Sequence, residues 1–140
     1  MNYIKAVISK IQSVDHISIV SFLPELSTHS AQMNRPEMKM MSLELDTALK
    51  VGSKVLLGVK STNISIAKDI SGLLSISNRL SCTIEHIRHG ELLSSLKCRF
   101  MDTTLESIIT RESAVRMNLQ EADDVLVLIK SSELSIVEIL

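Results

Sequence analysis

An internal repeat constrains this chain more than any other feature. Asp124–Ile136 reads DVLVLIKSSELSI and Lys54–Ile66 reads KVLLGVKSTNISI, and the two agree at about half their positions. Lys60 lies opposite Lys130, an offset of 130 − 60 = 70, and Ser61 lies opposite Ser131. Each copy is an apolar, β-rich run, then Lys-Ser, a polar pair and a short apolar close. A cation followed at once by hydroxyls, at the mouth of a buried strand, offers donors to an oxyanion, which can only accept hydrogen bonds. A second echo sits upstream: NRLSCTIEHI from Asn78 repeats NYIKAVISKI from Asn2, an offset of 78 − 2 = 76. The first copy is therefore longer by 76 − 70 = 6 residues, and the Pro24–Pro36 stretch is where that excess is expected.

Two copies in 140 residues leave each one small for an independent core. Hydrophobic residues make up 45% of the chain but aromatics only 2%, so Ile, Leu, Val and Met must fill the interior. In the first copy, β-branched and alternating runs predict strands over Tyr3–Ile11, Ile17–Leu23, Glu37–Leu45, Lys54–Val59 and Ile64–Ile66. The second copy shows them over Leu80–Arg88, Leu92–Phe100, Leu105–Ile109 and the run leading to Lys130. Turn residues fall at Ser13–His16, His89-Gly90, Met101–Thr103 and Glu121–Asp123. Asp46–Leu49 reads as one helical turn capped by Asp46, and Thr110–Met117 as a short helix capped by Thr110. Glu25–Pro36 is polar and unpatterned, an exposed loop with His29 solvated. The expected fold is all-β: two small, five-stranded barrels of the oligonucleotide-binding (OB) type in tandem, each with a short helical turn. Their expected bounds are 1–69 and 73–140. Closing each sheet removes exposed edges, and pairing or oligomerising adds the stability that small units lack.

Several function classes are disfavoured by composition. Net charge is −1, so no global field draws nucleic acid or an anionic membrane, and an anion site must be built locally. The aromatic supply is Tyr3, Phe22 and Phe100, too few for base-stacking platforms. No apolar run approaches the ~20 residues of a membrane helix, and the start lacks a signal-peptide pattern, so a cytoplasmic location is expected. Cys82 and Cys98 flank the His89-Gly90 turn. They are either a redox pair or half a metal site, or simply two small buried side chains; zinc spacing is absent. No nucleophile–base pairing points to an enzyme.

The second copy resembles a molbindin, or Mop domain, of the TOBE (transport-associated OB) superfamily. The resemblance rests on Ser75-Ile76-Ser77-Asn78, on Ile109-Thr110-Arg111-Glu112-Ser113, and on Val127-Leu128-Ile129-Lys130-Ser131-Ser132. Ser77 stands where the family usually carries arginine, and Cys82 and Ala122 where it prefers glycine. The first copy is similar but more degenerate: it keeps Gly52 and Lys60-Ser61-Thr62, while the Thr-x-x-Ser element is blurred into Met40–Leu43. The resemblance implies a tandem molbindin, a non-catalytic cytoplasmic binder of molybdate or tungstate with no organic cofactor. Such proteins assemble around a threefold axis and hold oxyanions between domains, so a homo-oligomer, a trimer of tandem domains, is implied. An alternative is a ligand-sensing or assembly module of a molybdate-responsive regulator or transporter that has lost strong binding. A start at Met1 without a DNA-binding segment is expected of the free-standing form.

The residues implied as oxyanion ligands are Lys130, Ser131, Thr110, Ser113, Ser75, Ser77 and Asn78, with Lys60 and Ser61 from the first copy. A tetrahedral dianion needs donors on all sides. One lysine at ~4 Å supplies a gross attraction of about 8 kcal/mol at an effective dielectric near 20. Desolvating the two ions costs a comparable amount, so neutral hydroxyls and backbone N–H groups must provide the surplus. Thr110 and Lys130 are far apart in sequence and are expected to meet across a domain or subunit boundary.

Overall fold

The computed structural model describes residues 1–25 and 35–140. The loop expected over Glu25–Pro36, His29 included, lies outside the described residues except for its ends. The strands are β1 (Asn2–Val14), β2 (Ile17–Pro24), β3 (Met38–Leu43), β4 (Lys54–Val59), β5 (Ser65–Ala67), β6 (Asn78–His89), β7 (Leu93–Phe100), β8 (Thr103–Thr110), β9 (Asp124–Ile129) and β10 (Ser135–Ile139). One helix, α1 (Arg111–Arg116), follows β8, and a 3-10 turn spans Ser61–Asn63. No helix among the described residues is long and apolar enough to cross a membrane.

The strands form two antiparallel five-stranded sheets, ordered β10-β4-β1-β2-β3 and β5-β9-β6-β7-β8. The two halves thus exchange their last strands: β5 pairs with β9 of the second half, and β10 with β4 of the first. Four strands of each half make a sheet whose fifth comes from the other. The buried residues of both halves form one continuous cluster, from Ile4 through Leu134. This pooling gives each small unit a larger interior than about 65 residues could build alone.

The repeat governs local structure closely. In β1, Asn2, Ile4, Ala6 and Ile8 alternate inward, and in β6 Asn78, Leu80, Cys82 and Ile84 do the same. Pairing with the next strand slips between Ile8 and Lys10 and, at the matching place, between Ile84 and His86. Such bulges bend a strand and sharpen its twist, which lets each long first strand curl round its barrel. β4 and β9 share one burial pattern, ending in three buried residues, because a neighbouring strand covers each of them on both sides. At Gly58 an added Cβ would sit 2.7 Å from Cγ1 of Val137, so the close approach of β10 depends on glycine there.

The excess length is distributed differently from the expectation. Ser21 pairs with Lys39, and Lys97 with Glu106, so Lys39 and Glu106 are equivalent at an offset of 106 − 39 = 67. The first half thus carries 76 − 67 = 9 extra residues between β2 and β3, and the second carries 70 − 67 = 3 extra after β8. Those three account for α1. Without them Asp46–Leu49 closes as a reverse turn rather than a helical one: Leu49 N–H donates to Asp46 O at 3.1 Å, and Ala48 N–H to Asp46 Oδ1 at 2.8 Å. His89, expected in a turn, is the last residue of β6; its Nδ1 lies 2.7 Å from Ser94 Oγ across the hairpin.

Candidate functional site

Two asparagines fasten each sheet to the other. Asn78 is fully buried; its Nδ2 donates to Lys39 O at 2.9 Å and its Oδ1 accepts from Lys39 N–H at 2.7 Å. Asn2, its repeat partner, does the same to Glu106, donating to the carbonyl and accepting from the N–H, both at 2.8 Å. Each carboxamide imitates a peptide group and satisfies an edge strand that has no sixth strand beside it among the described residues. Asn78 therefore engages β3 with both ends of its side chain.

The Lys-Ser turns meet at the pseudo-twofold relating the halves. Glu133 N–H closes on Lys130 O at 2.9 Å, and Asn63 N–H on Lys60 O at 2.9 Å. Asn63 Nδ2 then donates to Glu133 Oε2 at 2.8 Å, joining residues that are themselves repeat equivalents. Lys60 and Lys130 are both exposed, and neither ammonium makes an ion pair or hydrogen bond among the described residues.

Around the pseudo-twofold, the two ends differ in charge. At the Asn78 end, Met41 N–H donates to Ser131 O at 2.9 Å, which seats the Lys130 turn on β3 beside Lys39. Ser131 is half-buried, Ser75 and Ser77 are exposed, and none of the three hydroxyls has a partner among the described residues. Arg79 braces the segment carrying them, donating to Ile76 O and Leu74 O, both at 3.2 Å. Lys39 is tied to Glu37 at 3.3 Å, but both are well exposed, so the pair is weak.

At the Asn2 end, Glu106 replaces Lys39. Ser61 Oγ donates to Glu106 Oε1 at 3.2 Å, Ser95 Oγ donates to Oε2 at 3.1 Å, and Asn2 Nδ2 donates to Ser61 Oγ at 3.4 Å. The hydroxyl expected to face an oxyanion faces a carboxylate instead. Lys97 stands opposite Glu106 in the β7–β8 pairing.

Thr110 and Ser113 come together, but not with either lysine. Thr110 caps α1, accepting from Ser113 N–H at 3.2 Å, and its hydroxyl donates to Ser113 Oγ at 2.9 Å. A guanidinium N–H of Arg116 reaches Ser113 Oγ at 3.4 Å. In the second sheet, Thr110 pairs with Leu93 beside the β6–β7 hairpin, whereas Ile129 pairs with Asn78 at the opposite end of β6. The Lys60 turn rides on β8, with Ser107 Oγ donating to Ile64 O at 2.7 Å. Thr110 lies four residues beyond Glu106, roughly 13 Å along the strand.

Sequence reasoning missed Lys39, Glu106 and Asn2. The echo of Asn2 and Asn78 was a usable signal for the asparagines. Lys39 and Glu106 gave none, because their equivalence follows from strand register and not from neighbouring identities.

The remaining candidates take structural parts. Cys82 and Cys98 are buried and free. Burial, then the proximity of Cys98, pushes the Cys82 thiol up to about 12. Burial and Glu85 push Cys98 up to about 11. His86 pairs with Glu121 at 3.3 Å. Among the described residues no group of His, Cys, Asp and Glu is arranged to hold a metal ion. Phe22 and Phe100 are buried, which leaves only Tyr3 of the three aromatics at the surface.

The TOBE domain family matches residues 74–136. Among solved structures, the chain is similar to the cytoplasmic molybdate-binding protein ModG in a crystal form with molybdate bound. The TM-score is 0.87 at 19% identity, covering 99% of this chain and 96% of that one. No curated protein matches significantly. The chain has the fold of ModG over its whole length, and residues 74–136 in its second half match the TOBE domain.

Proposed function

We propose that this protein binds a tetrahedral oxyanion, molybdate or tungstate, in the cytoplasm without catalysing a reaction, as a store or buffer. The observation that carries the reading is the Asn78 end of the molecule. There two lysine-bearing segments, β3 with Lys39 and the turn with Lys130, are fastened together beside hydroxyls of Ser131, Ser75 and Ser77 that have no partner among the described residues. Preset donors cost little to reorganise when a dianion arrives, and the ammonium groups offset its charge. Asn78 serves this end by holding β3 in place. The molybdate bound by ModG, a protein of the same fold, supports the choice of ligand.

Thr110 and Ser113 sit away from Lys130 within one chain, so they join the same ion only if a second copy supplies them. The proposed site is therefore shared, the Lys130 turn from one copy facing the Thr110 cap of another in a homo-oligomer, a trimer of tandem domains. The two repeats, 1–69 and 73–140, act as the units of that assembly.

Calorimetric titration with molybdate, tungstate and sulfate tests the reading. Saturable heat with the first two and little with sulfate is expected. No heat above the sulfate control at micromolar protein would sink it.

A further inference from the structure

The two Lys-Ser turns are equivalent in sequence and in backbone, yet one is seated on the strand that carries Lys39 and the other is bound to Glu106. We infer that Glu106 closes the Lys60–Ser61 end to oxyanions, so that the molecule binds its dianion at the Asn78 end alone; this rests on the proposed oxyanion function. The Glu106 backbone is fixed by Asn2 through two 2.8 Å hydrogen bonds, so its side chain cannot withdraw by a shift of the strand. Its carboxylate accepts hydrogen bonds from Ser61 Oγ at 3.2 Å and Ser95 Oγ at 3.1 Å, which orients both hydroxyls toward the carboxylate and away from any incoming anion. Asn2 Nδ2 also points its second donor at Ser61 Oγ. The carboxylate thus fills the place of the anion with one that belongs to the chain.

Across the pseudo-twofold, the asparagine bridge and the Lys-Ser turn recur, but Lys39 stands in place of Glu106 and Ile19 in place of Ser95. Asn78 holds Lys39 as Asn2 holds Glu106, and Ser131 lies where Ser61 does, but its hydroxyl has no acceptor among the described residues. A dianion approaching Ser61 meets a negative charge at hydrogen-bonding distance of its donor. Approaching Ser131, it meets no such carboxylate among the described residues: Lys130 adjoins that hydroxyl, and β3 carries Lys39, paired with the exposed Glu37 at 3.3 Å. Like charges at such range oppose binding strongly, and the neighbouring Lys60 and Lys97 do not release the Ser61 hydroxyl from the carboxylate that holds it. Glu106 is accordingly a specificity-determining residue that halves the number of oxyanion ends.

The test is the number of molybdate ions bound per chain, read by equilibrium dialysis on the full-length protein, for the wild type, Glu106→Gln, Glu106→Ala and Lys39→Glu. The glutamine keeps the shape, and its Oε1 can accept from one of the two serines while its Nε2 donates to the other. Alanine serves as a second opening variant should the glutamine fold poorly, and circular dichroism monitors both. Expected are roughly a doubling of bound molybdate in either Glu106 variant and loss of most binding in Lys39→Glu. Adding Lys60→Ala to Glu106→Gln should remove the gain. If the wild type binds molybdate and neither Glu106 variant binds more, Glu106 is no gate and the inference falls while the function stands. If no variant and no wild type binds, the oxyanion reading itself falls, and the inference with it.

Discussion

Asn78→Leu removes the fastening of the second barrel onto β3 while nearly conserving volume, which isolates the two hydrogen bonds to Lys39. Both are short, at 2.7 and 2.9 Å, and the carboxamide is fully buried. Leucine leaves the Lys39 N–H and C=O without partners. Each orphaned backbone group costs about 1–3 kcal/mol when water cannot reach it. β3 is an edge strand and Lys39 is half-exposed, so water recovers part of the loss and the lower half of the range applies. The expected destabilisation is about 2–4 kcal/mol, roughly 6–12 °C in Tm for a chain of this size. Asn2→Leu should cost somewhat less, because Asn2 is 7% exposed rather than 0%. Urea unfolding gives the stability, and amide hydrogen exchange at Lys39 gives the mechanism: its protection should fall before that of the β6 core. A loss under about 1 kcal/mol, or an unchanged Lys39 amide, would refute the idea that these carboxamides join the two sheets.

Three further outcomes follow from particular residues. Ala122 holds φ +72° where its repeat partner Gly52 has +94°, so Ala122→Gly should stabilise the protein by about 1 kcal/mol, read as a rise in urea midpoint. Lys68 donates to the Asp123 carboxylate at 3.0 Å, and the Gln120 N–H adds a second bond; these hold the Asp123 carboxyl below the usual carboxylate range. The ionised form therefore stabilises the fold above about pH 4, and its contribution fades as pH drops through the lowered native value. The stability gap between wild type and Lys68→Met should accordingly be larger at pH 7 than at pH 2.5; a gap independent of pH would contradict the coupling. Finally, the thiols of Cys82 and Cys98, pushed up to about 12 and about 11, stay protonated and covered at neutral pH. Iodoacetamide should label them only as the protein unfolds, and rapid labelling of the native form would show the core to be open.

Much of the fold was legible because period-two burial and turn chemistry act locally. Lys54–Val59 forms as read, Thr110 caps its helix, and the Asp15-His16 turn closes with both residues at positive φ, the geometry a two-residue hairpin requires. The exchange of β5 and β10 was not legible. Ile66 and Ile136 satisfy the pattern of a last strand equally well in either sheet, and only the packing of the two halves decides which sheet receives them. The site divides along the same line. Lys130 and Lys60 were visible as repeated cations after apolar runs, whereas the contrast between Lys39 and Glu106 depends on pairing registers with Ser21 and Lys97. The separation of Thr110 from Lys130 likewise follows from strand order, which places them at opposite ends of one sheet.

Native mass spectrometry of the protein titrated with molybdate examines the shared site most directly, since it counts chains and bound ions in the same particle. If the Lys130 turn of one copy and the Thr110 cap of another hold the ion together, molybdate should appear on oligomers and be absent from single chains, and Lys130→Ala should strip it from the oligomers. Single chains that carry molybdate as readily as oligomers, or oligomers that carry none, would contradict the account.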